Sequence, residues 1–230
     1  MKSKLSIIIP ILNERPQIER SIEYLLSLSH VAHELIFVDG GSKDGSREFL
    51  TAQNLRTIES PRGRAAQMNA GALCANGDIL LFLHVDSQTP ENMVQRIGEL
   101  NDFVWGFFRI RLTSDKRIFR FIERGINFRS RVFSVATGDQ GLFVKRSKFH
   151  QINGFAPIPL MEDIEITRRL KKLAKPYIVA DSIQSSARRW QKHGTLYTVF
   201  FMWYVQALYV LGVSPNYLVR LYYKKAKSNV

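Results

Sequence analysis

The residues best suited to chemistry fall into four short clusters. His84-Val85-Asp86 ends the apolar run "ILLFLH", placing an imidazole and a carboxylate two residues apart at a strand end. A carboxylate there suits Mg²⁺, and an imidazole beside it suits Mn²⁺ better; the plain alternative is a strand-end histidine without a metal. Glu162-Asp163 opens "EDIEITRRLKK", where a carboxylate can take a proton from a nucleophile, or where acids simply complement the start of a helix dipole. Arg62-Gly63-Arg64 leads into "AAQMNAG", so a helix N-terminus and two guanidinium groups favour an anion. Asp39 precedes Gly40, Gly41 and Gly45 in "VDGGSKDGS", a segment of tight turns whose aspartate either meets a ligand or caps a turn.

Elements that would hold these clusters are visible in the apolar pattern. "SIIIPIL" (6–12), "ELIFVD" (34–39), "LRTIES" (55–60) and "ILLFLH" (79–84) have strand length and aliphatic content. Between them, Ile18, Ile22, Leu25 and Leu26 fall at helical spacing after Pro16, followed by helix-like "DGSREFLTAQN" and "RAAQMNAGALCANG". Strand and helix in alternation predict an α/β fold, a mainly parallel sheet covered on both faces, with ligands at the carboxyl ends of the strands. Each cluster of the first half lies at such an end. Neither G-x-G-x-x-G nor a P-loop is present.

Composition sets the bounds. The 230 residues are 45% hydrophobic and 23% charged, ordinary for a globular chain and enough for one domain with an appendage. One cysteine, Cys74, precludes an internal disulfide and fits a reducing compartment. "MKSKLSIIIPILNE" is expected to be a first strand rather than a signal segment. The net charge of +13 is uneven: residues 1–110 carry 11 Lys/Arg against 13 Asp/Glu, and the remainder 22 against 7. That asymmetry fits a surface for polyanions or anionic lipid, or scattered solvated side chains. No zinc finger, RNP-type or helix-turn-helix pattern accompanies it, so nucleic acid is not the expected partner.

The order of the motifs resembles the family 2 glycosyltransferases of the GT-A fold. Within that family the sequence looks most like the radical-SAM/selenodomain-associated transferase 2 subgroup, akin to carotenoid (diaponeurosporenoate) glycosyltransferases, where Leu-His-Ala-Asp replaces Asp-x-Asp. The resemblance implies roles, residue by residue. Pro10, Asn13 and Glu14 would lie on the nucleobase side, Asp39 at uracil or ribose, and Gly63, Arg64 and Asn69 against the nucleotide and its diphosphate. His84 and Asp86 would take the Asp-x-Asp position and hold Mg²⁺ or Mn²⁺, with His193 as a third ligand or, equally plainly, a loop histidine. Gly138, Asp139 and Gln140 would form the loop beneath the acceptor. Asp163 would be the general base of an inverting transfer, with Glu162 beside it. "SIQSSARRWQKHG" resembles the Gln-x-x-Arg-Trp region of processive relatives but has Ser186 in place of the glutamine; Arg188, Arg189 and Trp190 remain acceptor-side candidates.

On this reading residues 1–190 form the transferase domain, with 1–110 the nucleotide-sugar half and 111–190 the acceptor half, and 191–230 a C-terminal helical segment. Two stretches suggest a peripheral contact with membrane. "DKRIFRFIERGINFRSRVF" (115–133) is basic and amphipathic, with Arg117, Arg120, Arg124 and Arg131 among its polar positions. "LYTVFFMWYVQALYVLGV" (196–213) carries no formal charge over 18 residues, which suits a buried helix, an interfacial one or a short span. The expected location is cytoplasmic, at the inner face of the cell membrane, and the expected acceptor is lipid-like. Two other classes compete: a nucleotidyltransferase, although "PILNERPQ" lacks a glycine-rich loop, and a non-catalytic nucleotide-sugar-binding protein.

Overall fold

The structure is a computed structural model. It describes residues 3–114, 116–185 and 195–227. Seven strands form one sheet in the order β3-β2-β1-β4-β6-β5-β7. They are β1 (Leu5–Ile11), β2 (Glu34–Asp39), β3 (Thr57–Glu59), β4 (Ile79–Phe82), β5 (Trp105–Leu112), β6 (Leu142–Lys145) and β7 (Tyr177–Ser185). β1, β2, β3 and β4 pair parallel, whereas β6 runs antiparallel between β4 and β5.

The first half follows from the aliphatic runs. β1 and β4 bury both faces, as central parallel strands must. Ile7, Ile9 and Ile11 enter one core layer and Ile8 the other, so successive side chains feed opposite faces of the sheet. Helices α1 (Arg15–Val31), α2 (Ser46–Ala52), α3 (Arg64–Cys74) and α4 (Glu91–Glu99) complete this half. α3 lies so close to β1 that a methyl on Gly71 would stand 2.5 Å from Ile8 Cγ2. Close helix–strand contact is what glycine provides there.

The second half is less regular. It contains α5 (Arg117–Phe133), a short 3₁₀ turn (Gly138–Gln140), α6 (Arg146–Gln151) and α7 (Glu162–Leu173). β6 pairs only with Trp105 and Gly106 of β5. Beyond that point, polar side chains replace the missing strand. Gln140 Nε2 donates to the Phe108 carbonyl, and Asn127 both accepts from the Ile110 amide and donates to its carbonyl. Glu123 then accepts from the Leu112 amide while Arg120 donates to its carbonyl. Buried backbone groups require partners, and α5 supplies them. Arg120 is therefore bound back onto β5, Ser114 and Glu123, a correction to its expected place on an outward basic face.

Two further helices, α8 (Thr195–Val210) and α9 (Pro215–Lys227), pack on the start of α7 through Val205, Leu218, Met161 and Ile164. Among the described residues no helix is long and apolar enough to cross a membrane.

Candidate active site

A cleft of about 280 Å³ opens at the carboxyl ends of β1 and β4, the position favoured for ligands in such sheets. Pro10, Glu14, Arg64, His84, Asp86, Gly138, Asp139, Glu162 and Asp163 line it, together with Met202, Gln206 and Tyr222 from α8 and α9. β4 ends at Phe82, two residues earlier than the apolar run suggests, so His84 and Asp86 stand in the loop beyond it.

The catalytic-base candidate is held firmly. Asp163 accepts from the Gly138 amide at 2.9 Å and from the Ile164 amide at 2.7 Å. Its helix begins after Met161, which sits in the left-handed region at φ +69°, an unfavourable conformation for a bulky residue. That turn delivers Glu162 and Asp163 to the cleft as the first residues of α7. Burial pushes Glu162 up to about 7; the Asp163 charge adds to the rise and Arg64 opposes it. Burial also pushes Asp163 up, against the Gly138 and Ile164 amides and Arg64. Two carboxyls in one desolvated place hold a proton near neutrality, which suits proton transfer.

Arg64, the first residue of α3, follows Gly63 at φ +136°, a backbone angle open to glycine. A methyl on Gly138 would stand 2.9 Å from His84 Nε2 and 3.4 Å from Arg64 Nη1, so the acceptor loop, the His-x-Asp loop and the α3 arginine converge. Among the described residues no group of three or more His, Cys, Asp or Glu could cage a metal. His84 and Asp86 both reach the cleft, and such a two-donor wall fits a Mg²⁺ or Mn²⁺ that takes its other ligands from diphosphate oxygens and water.

Three expected contacts have other work. Asn69 is clamped to the backbone of Phe155, donating to its carbonyl and accepting from its amide at 2.9 Å each, so both ends of its amide are engaged by backbone. Gln140 is 0% exposed and accepts from Ser130 Oγ and the Thr137 amide, so it braces the acceptor loop from within. Asp39 is 3% exposed, and its carboxylate accepts from the Gly41 and Ser42 amides and Ser42 Oγ, the turn-capping alternative. Asn13 ties its loop to the next, accepting from the Lys43 amide. Arg188, Arg189, Trp190 and His193 lie outside the described residues.

Sequence reasoning missed Thr137 and Met202 on the cleft wall, and Gln67, whose buried amide donates to the carbonyls of Ile11 and Val38 at the ends of β1 and β2. Gln206, the lone amide in an uncharged stretch, was a legible signal.

Comparison with known proteins identifies the fold and the family. An uncharacterised glycosyltransferase of Nostoc sp. is 31% identical over 104 residues, 42% of this chain and 32% of the relative. The undecaprenyl-phosphate 4-deoxy-4-formamido-L-arabinose transferase of Yersinia pestis is 31% identical over 105 residues, 41% of this chain and 32% of the relative. The chain thus spans about a third of the length of these relatives. Among solved structures, a mannosyltransferase of Pyrobaculum calidifontis in complex with GDP-Man and Mn²⁺ superposes with a TM-score of 0.63 at 18% identity, covering 90% of this chain and 62% of that one. S. aureus TarS 1-349 with UDP-GlcNAc gives 0.65 at 14% identity, covering 80% and 58%. The fold is GT-A. With the model for glycosyl transferase family 2 matching residues 6–156, well over half its length, the chain belongs to that family.

Proposed function

We propose that the chain is an inverting glycosyltransferase that moves a sugar from a UDP-linked donor to a hydroxyl or carboxyl of a lipid-like acceptor. The observation that carries this reading is the placement of Asp163, fixed by two backbone amides on the same cleft as Arg64, His84 and Asp86. In the transfer, the acceptor oxygen forms a bond to the anomeric carbon as the bond from that carbon to the diphosphate breaks. The nucleoside diphosphate leaves with the electron pair, and Asp163 takes the proton of a hydroxyl acceptor. Arg64 offsets charge on the diphosphate, with the amides at the start of α3 behind it.

His84 and Asp86 would hold Mg²⁺ or Mn²⁺, which when bound neutralises charge developing on the leaving group. Structural neighbours crystallised with Mn²⁺ support a divalent ion, and the relative named for undecaprenyl phosphate supports a lipid-like acceptor. Exposed Phe200, Trp203 and Tyr204 on α8 and Phe121 and Phe128 on α5 support contact with a membrane at its cytoplasmic face.

A thermal-shift screen of nucleotide sugars with each metal tests the reading. One UDP-sugar is expected to raise the melting temperature, more so with a divalent ion present. No shift with any nucleotide sugar sinks it.

A further inference from the structure

A second cavity, of about 250 Å³, lies between α5 and α8. Its walls are Ile118, Phe121, Ile122 and Ile126 on one side and Val199, Phe200 and Trp203 on the other. Thr137, Asp139, Met202 and Gln206 line both this groove and the candidate active-site cleft, so the two adjoin along those side chains. Water gains little in an apolar slot of this kind, and a hydrocarbon chain gains much.

Two charged groups line that groove, Asp139 on the stretch shared with the cleft and Arg129 among the apolar side chains. Arg129 Nη1 donates to Gln206 Oε1 at 2.8 Å, while Nε and Nη2 are buried without a partner among the described residues. Among the described residues no ion pair engages this guanidinium, although Asp139 and Asp163 lie near enough to act on it through space. Buried guanidinium nitrogens without an acceptor are costly even with carboxylates nearby, and an oxyanion is the group that removes that cost. The Gln206 carboxamide oxygen already stands where a ligand oxygen would accept from Nη1.

From the groove, its position beside the cleft and the two guanidinium nitrogens left without an acceptor, we infer that the acceptor is an anionic amphiphile. Its apolar chain lies between α5 and α8 and its carboxylate or phosphate is held by Arg129. The inference rests on the transferase reading for the word acceptor, but the binding site itself does not require a donor.

The test is calorimetric titration of the full chain, without nucleotide, by laurate, dodecyl phosphate, dodecanol and inorganic phosphate, each below its aggregation threshold. At least one of the two anionic amphiphiles should bind about tenfold or more tighter than dodecanol, and inorganic phosphate should bind far more weakly than either. Arg129→Met should bring the anionic amphiphiles down to the level of dodecanol. Gly125 lines the groove with nothing within 4 Å of where a side chain would begin. Gly125→Phe should therefore abolish binding of all three chains while the unfolding midpoint holds, a helical glycine being no loss.

Unchanged binding in either variant overturns the proposal, as does dodecanol binding as tightly as laurate and dodecyl phosphate. Inorganic phosphate binding as tightly as dodecyl phosphate would reveal an anion site without a chain site and would overturn it too. Should Arg129→Met not fold, Gly125→Phe decides alone. Nucleotide-sugar shifts on the same preparation separate the two readings. Donor binding without amphiphile binding ends this inference only, whereas the reverse ends the transferase reading and leaves the groove standing.

Discussion

The half built from β1 to β4 and the half built from β5 onward satisfy their polar groups by opposite means. In the first, the loops at the ends of β1 and β2 are satisfied largely by one another: Ser42 and Gly41 serve Asp39, Ser46 serves Asp44, and Asn13 joins the first loop to the second. In the second, demands are met across long distances in the chain, with α5 side chains completing β5 and Gly138 holding Asp163. Arg129, in this half, is left with two buried unpartnered nitrogens. The first half is a frame that local sequence specifies, and the second is a site assembled by tertiary contact.

The contrast can be broken most severely at Asp163. Asp163→Asn keeps the size, leaves one oxygen to accept from one of the two amides and removes the base, so transfer to a hydroxyl acceptor should fall about 10²–10⁴-fold with a much smaller loss of stability. Equal loss of folding and activity would make the residue structural. In the first half the reverse is expected. Gly71→Ala puts a methyl into Ile8 and should cost about 1–3 kcal/mol in urea unfolding, while the rate of the folded fraction is retained.

Acidity sharpens the comparison further. Burial raises both Glu162 and Asp163, so the protonated pair is the form the fold favours. Their contribution to stability is therefore complete below the unfolded carboxyl range and is lost as pH rises through about 7 for Glu162. Catalysis by an ionised base runs the other way. Rate should climb and stability should fall across the same neutral window, read by kcat/KM and unfolding profiles on one buffer series; parallel trends would refute the assignment.

The smallest effect is expected at His84. His84→Asp should shift the Mn²⁺ over Mg²⁺ preference of the reaction by several-fold. An unchanged ratio would remove His84 from the ligand set and leave Asp86 alone.

Much of the frame was legible in the sequence because its signals are local. β2 has the expected bounds, β1 is one residue out of register with its apolar run, and α7 begins at the Glu-Asp pair. Insertion of β6 antiparallel between β4 and β5 was not legible, since strand order depends on contacts far apart in the chain. For the same reason Asn69 and Gln140 read as ligand contacts. A polar side chain aimed at distant backbone has the same sequence signature as one aimed at a substrate. Arg129 was hidden by four other arginines in the same stretch, 115–133.

The side-chain ladder of α5 has a consequence for how acceptor choice could change. Through Asn127, Glu123 and Ser130, the last bonded to Gln140 beneath Thr137, α5 is fastened to β5 and to the loop that carries the Gly138 amide. That wall of the groove cannot be redrawn without displacing the base. The facing wall, α8, presents Val199, Phe200 and Trp203 with no such fastening through them among the described residues. α8 is itself held at Gln206 and Val205, so Phe200 and Trp203, exposed on the groove, are the positions where the width of the slot can change with the support of Asp163 left in place.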